Sequence, residues 1–111
     1  MPFEFGDVVL APFPFTNQAA FKQRPAVVVS SRVYNTARPD VVIMPITSQI
    51  GSGSGVGEMT ISEWQRANLL KPSAIKPVFA TLEQRLIIRR LGILDAQDQS
   101  TLRAAIAAVL G

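Results

Sequence analysis

The sequence predicts a mainly β, α+β fold, a small and strongly bent sheet or barrel with helices packed on it. Short apolar and β-branched runs recur between Gly and Pro punctuation, and helical spacing follows toward the C-terminus. The chain has 111 residues, which fits one domain spanning 1–111. Nearly half of its residues are hydrophobic and 17% are charged, a globular balance that is too apolar for disorder.

Gly6-Asp7 is a turn signal, and Val8–Ala11 reads as a short strand. Pro12 and Pro14 cannot donate to a ladder, so they mark the end or an edge of that strand. Residues 16–23 read as an exposed connection into a second strand, Ala26–Ser30. The polar stretch SRVYNTARPD, residues 31–40, reads as a loop. A third strand, Val41–Ile46, is almost wholly apolar and is bounded by Thr47-Ser48.

The segment IGSGSGVGE, residues 50–58, holds four of the seven glycines. It matches no phosphate-cradling pattern and reads as a mobile hairpin loop. Glu58–Ile61 alternates as a strand does, Ser62–Asn68 reads as a turn or short helix around Trp64, and Ser73–Phe79 is a strand interrupted by Pro77. Leu82–Leu91 carries apolar residues at mixed three- and four-residue spacings. It is predicted helical, with Arg85, Arg89 and Arg90 on its solvated face and Gly92 ending it. Asp95 is a good N-cap for the last helix, where Leu102, Ala105, Ile106 and Val109 share one face.

With no cysteine and no histidine, a disulfide framework, a zinc site of the usual kind and Ser–His or Cys–His catalysis are all excluded. No metal or other cofactor is expected. An enzyme built from this chain works with Arg, Lys, Asp, Glu, Ser, Thr or Tyr34. The N-terminus lacks the features of a signal peptide and no apolar run is long enough to span a membrane, so the expectation is a cytoplasmic protein. A net charge of +3 and a pI near 10.0 permit an anionic partner.

One stretch stands out. KQRPAVVVSS, residues 22–31, sets Arg24 at the mouth of a β-branched run. Taken alone, such an arginine is most often a solvated strand end. The longer segment FGDVVLAPFPFTNQAAFKQRPAVVVSS, residues 5–31, resembles the opening of the MazF/PemK family of type II toxin–antitoxin endoribonuclease toxins. VVIMPITS (41–48), LLKPSAIKP (69–77) and RRLGIL (89–94) resemble later segments of that family, in the same order.

The resemblance implies an SH3-like barrel with a C-terminal helix that works as a homodimer. It implies metal-independent cleavage of single-stranded RNA at short sequences, and a cognate antitoxin that covers the RNA-binding surface. It places the family's catalytic arginine and threonine on Arg24 and Thr47. Arginine suits that task, because its planar fork meets two phosphate oxygens at once and stays charged. Lys76 fits a basic catalytic position in the family's strand, and Val78 stands where an acid follows in some members.

On this resemblance, RNA binding is expected to fall to the 13–23 loop and the Gly-rich loop at 50–58. Phe21 is placed to stack on a base, Thr16, Asn17 and Gln18 to read base edges, and Lys22 to hold the phosphate chain. Ser48 and Gln49, next to Thr47, complete the set. Phe13 and Phe15 read as core or dimer contacts. Two alternatives share these features: a toxin of the same fold that poisons DNA gyrase, and a non-catalytic barrel that binds nucleic acid or protein.

Overall fold

The computed structural model describes residues 3–13, 22–50 and 55–111. Seven strands and two α-helices follow in chain order. They are β1 (Asp7–Phe13), β2 (Lys22–Val28), α1 (Arg32–Ala37), β3 (Asp40–Thr47), β4 (Met59–Thr60), β5 (Ala74–Ile75), β6 (Ala80–Glu83), β7 (Arg89–Ile93) and α2 (Ala96–Leu110). Every strand pairing is antiparallel, in the order β4-β5-β3-β2-β1-β7, with β6 also on β3. The predicted α+β class, a bent antiparallel sheet with a C-terminal helix, is what is observed. Among the described residues, no helix is long and apolar enough to cross a membrane.

The Val-rich runs are explained by burial on both faces of β1, β2 and β3. Val8, Val27 and Met44 are cross-strand partners and face one core, together with Ile46, Ile61, Ile75, Leu94 and Leu102. Their pleat neighbours Val9, Ala26, Val28 and Ile43 face a second core with Phe13 and Val41. Leu102 of α2 closes the first core, and Ala80, Leu82 and Ile87 pack against the second.

Prolines set where the ladders stop. Pro12 lies inside β1 opposite Gln23, beyond the last β7 partner Leu10, so its missing N–H faces an edge with no strand on it. The β2–β3 register ends at Ala26↔Pro45, because Pro25 lacks the donor that the next hydrogen-bonded pair would need. Both strands run on past that point, β2 back through Arg24 and β3 forward to Thr47.

Two segments depart from the sequence prediction. Residues 31–40 contain α1, not a loop throughout. Ser31 caps the helix by accepting from the Tyr34 N–H, and Asn35 is buried, with its amide donating to the carbonyls of Phe3 and Ser30. Leu82–Leu91 is not a helix. It comprises the end of β6, a 3₁₀ turn at Gln84–Leu86, and most of β7. Gly92 is therefore a strand residue paired with Val8, not a helix terminator. The apolar spacing that mimics a helix arises because a 3₁₀ turn and a β-bulge interrupt the two-residue period. The bulge falls at Leu91, since Val8 pairs with Gly92 while Val9 pairs with Arg90.

The remaining strands match in place and differ at their ends. The second strand begins at Lys22 and stops at Val28, because the Ser30 hydroxyl turns to Asn35 and accepts from the Val42 N–H. The expected strand Ser73–Phe79 shortens to Ala74–Ile75, because the Ser73 hydroxyl donates to the Lys71 carbonyl and Pro77 follows two residues beyond. The last helix begins as predicted: Asp95 accepts from the Asp98 N–H.

Candidate functional site

The ends of β2 and β3 that outrun their ladder enclose a cleft of about 560 Å³. Gln23, Arg24 and Pro25 line it from β2, and Ile46, Thr47, Ser48 and Gln49 from β3 and the residues after it. The β2–β3 register ends at Ala26↔Pro45, and Arg24 and Thr47 lie on the ends of β2 and β3 that run beyond it, paired to Ala11 and Ala74 instead. Both Arg24 and Thr47 are half-buried.

The Thr47 hydroxyl accepts from the Gln49 N–H at 3.1 Å. This is the local capping bond common to threonine at a strand end. It occupies a lone pair, leaving the O–H hydrogen free to donate into the cleft. Among the described residues, the Arg24 side chain has no hydrogen-bond or ion-pair partner.

The opposite wall consists of Asn68, Leu69, Leu70 and Lys71, with Ser73, Arg89 and Leu91. It is tied to β7 at two points. The bulge leaves Leu91 outside the regular ladder, and its carbonyl accepts from the Asn68 amide at 2.7 Å. Gly92 lies so close to residue 67 that a Cβ there would stand 2.7 Å from the Ala67 carbonyl oxygen. The loop is also fixed from α2. The Asp98 carboxylate, 1% exposed, accepts from the backbone N–H groups of Ser62 and Glu63.

Charge accounting isolates this cleft. All eight carboxylates are engaged elsewhere. Glu4, Asp7, Asp40, Glu58, Glu63 and Glu83 form ion pairs with Arg32, Arg90, Arg38, Lys76, Arg66 and Arg85. Asp95 caps α2, and Asp98 binds the loop. No acid lines the cleft, whereas Arg24, Lys71 and Arg89 do.

The other predicted site residues are distributed unevenly. Ser48 and Gln49 lie exposed at the rim. Lys76 does not line the cleft; its ammonium is paired with Glu58 and its N–H donates to the Pro45 carbonyl. Val78, at the position where some members of the resembled family carry an acid, is 38% exposed and does not line the cleft. Thr16, Asn17, Gln18 and Phe21 lie outside the described residues, as does the side chain of Lys22. Sequence reasoning missed Lys71, which sits in a polar turn, and placed Arg89 on a solvated helix face. It also missed Glu58 as the partner of Lys76, because eighteen residues separate them.

The fold is thus an antiparallel sheet with a C-terminal helix, and at its open strand ends lies a basic cleft that no acid lines. The family follows from the whole chain: residues 4–110 match the PemK-like, MazF-like toxins of type II toxin–antitoxin systems, and the chain belongs to that family. Its fold is similar to that of the Mycobacterium tuberculosis toxin MazF-mt6, with a TM-score of 0.76, 20% identity, and coverage of 94% of this chain and 95% of that one. An endoribonuclease from a mycobacterial species superposes with a TM-score of 0.78 at 17% identity, covering 100% of this chain and 93% of that one. MazF in a MazE–MazF complex from Deinococcus radiodurans gives 0.76 at 20% identity, with coverage of 100% and 97%. No curated protein matches the sequence.

Proposed function

We propose that this toxin is a metal-independent endoribonuclease that cuts single-stranded RNA at specific sequences by attack of the RNA's own 2′-OH, and so inhibits translation and growth. The observation that supports the reading is that Arg24 and Thr47 line one cleft in which no carboxylate takes part. In the reaction the 2′ oxygen bonds to phosphorus as the bond to the 5′ oxygen breaks. The 2′ proton is given up and the 5′ oxygen takes one, leaving a 2′,3′-cyclic phosphate and a 5′-hydroxyl end. Arg24 spans two non-bridging oxygens of the phosphorane and Thr47 donates a further hydrogen bond. Arg24 serves as stabiliser and not as base, because a guanidinium offers a fork of N–H donors and no acceptor. The segment between β1 and β2 leads directly into Arg24, which favours it as the reader of bases around the cut. Lys76, paired with Glu58, stands outside this division of labour.

Family membership supports a cognate antitoxin that covers the cleft, as solved complexes of other members contain one. It likewise supports a cytoplasmic homodimer.

The test is incubation of the purified chain with a long single-stranded RNA in EDTA. Discrete cuts are expected, ending in cyclic phosphate. Arg24→Ala and Thr47→Val each lower the single-turnover rate by roughly 10²–10³-fold, the usual cost of one donor to a developing oxyanion. Intact RNA together with inhibition of gyrase supercoiling would overturn the proposal.

A further inference from the structure

Among the described side chains, four cations have no carboxylate partner: Arg24, Lys71, Arg89 and Arg103. Arg103 lies over the Phe5 ring at 3.9 Å. The others, Arg24, Lys71 and Arg89, line one cleft. The ribonuclease reading uses only Arg24. Lys71 and Arg89 are exposed, carry no side-chain partner among the described residues, and have no task in the cleavage step.

Their positions are fixed. Leu10 of β1 pairs with Pro25 on one side and with Arg89 on the other, so Arg89 stands two strand spacings, about 10 Å, from the strand that carries Arg24. The loop bearing Lys71 is joined to β7 by the Asn68–Leu91 hydrogen bond and by the close approach of Ala67 to Gly92. One braced unit therefore carries both cations that line the cleft with Arg24. Leu70, 94% exposed, projects beside Lys71.

We propose that Lys71 and Arg89 form a second phosphate subsite, which grips the phosphodiester next to the one that is cut. This rests on the ribonuclease reading. The subsite binds and registers the strand, and the transition state is left to Arg24 and Thr47. It has a measurable signature, because each phosphate neutralised on a single strand contributes about 0.7 to the slope of log affinity against log salt.

The probe is an oligonucleotide spanning a cut mapped on a long single-stranded RNA, with a 2′-deoxy sugar at the cut so that it binds and is not cleaved. Its dissociation constant is followed by fluorescence anisotropy from about 50 to 200 mM KCl for wild type, Lys71→Gln, Arg89→Gln and the double variant. The double substitution is expected to reduce the slope by about 0.7, the share of the one phosphate that the pair neutralises, shrinking the affinity lost over that range by roughly 2.5-fold, and each single substitution by part of that. The single-turnover rate on saturating cleavable RNA stays at the wild-type level. A neutral methylphosphonate at the adjacent phosphate lowers wild-type affinity to that of the double variant and leaves the double variant unaffected. Unchanged slopes on an RNA that the wild type cuts would overturn the subsite alone. So would a loss of saturating rate like that of Arg24→Ala. An RNA that the wild type leaves whole would instead overturn the ribonuclease reading, and the subsite with it.

Discussion

Asp40 illustrates what single side chains do away from the cleft. It opens β3, accepts from the Arg38 guanidinium at 3.0 Å and from the Tyr34 hydroxyl at 3.1 Å, and ties the end of α1 to the sheet. Desolvation pushes its carboxyl upward, but the hydrogen bonds from Arg38 and Tyr34 and the Arg38 charge outweigh that and hold it below the ordinary 3.8. A depressed folded value means that the ionised form stabilises the fold. That contribution is complete above 3.8 and is lost as the pH falls through the lower folded value. Asp40→Asn is therefore expected to melt below wild type at neutral pH, with the gap closing as the pH drops under 3.8; melting curves across pH 2–7 decide it. A gap that persists at the acid end would assign the loss to shape instead of charge. Arg24 and Thr47 were singled out in the sequence through the family resemblance, and both line one cleft in the structure. Lys71 and Arg89 were not, because nothing local distinguishes an unpaired surface cation from a paired one. Only the full accounting of eight carboxylates singles them out.

At the scale of elements, β7 matters most for the site. Its bulge at Leu91 frees a carbonyl for Asn68, and Gly92 lets the 62–71 loop lie against the strand. Gly92→Ala puts a methyl group into the Ala67 carbonyl, a backbone atom that cannot swing aside as a side chain can. The expected cost is about 1–3 kcal/mol, as for other overpacked sites. The loop should shift with it, so RNA affinity falls while the single-turnover rate on saturating RNA holds. Denaturant titration and the same anisotropy assay check both parts, and wild-type stability would remove the close approach from the account. With the stretch that holds α1, this is one of the two segments the sequence misstates. The 3₁₀ turn at 84–86 and the bulge at 91 shift the phase of the pleat twice within ten residues, so the apolar positions fall at helical spacings. A bulge is set by pairing with β1, and that pairing is not written in the residues of β7. The last helix was legible because its cap and its apolar face are both local, with Asp95 accepting from the Asp98 N–H and Leu102 fully buried.

At the scale of the whole molecule, two cores lie on opposite faces of the same three strands. Val27 faces one and Val28 the other, so neither core can loosen without disturbing the backbone of both. This predicts a single cooperative unit. The sole tryptophan, Trp64, packs against the first core and reports on it by fluorescence. Ile43 is fully buried in the second core and pairs with both Val28 and Ala80. Ile43→Val removes one methylene at that junction, an expected cost of about 0.5–1.5 kcal/mol. If the cores are coupled through β2 and β3, the Trp64 transition and the far-UV transition move together in denaturant, by the same midpoint shift and with unchanged slopes. A far-UV midpoint that moves while Trp64 stays put would show that the cores unfold separately. The consequence reaches the cleft. Arg24 and Thr47 sit on the overhanging ends of the shared strands, and Lys71 on a loop whose Leu69 is buried in the first core. A coupled sheet keeps the two walls in fixed relation, which a site that grips two phosphates of one strand requires.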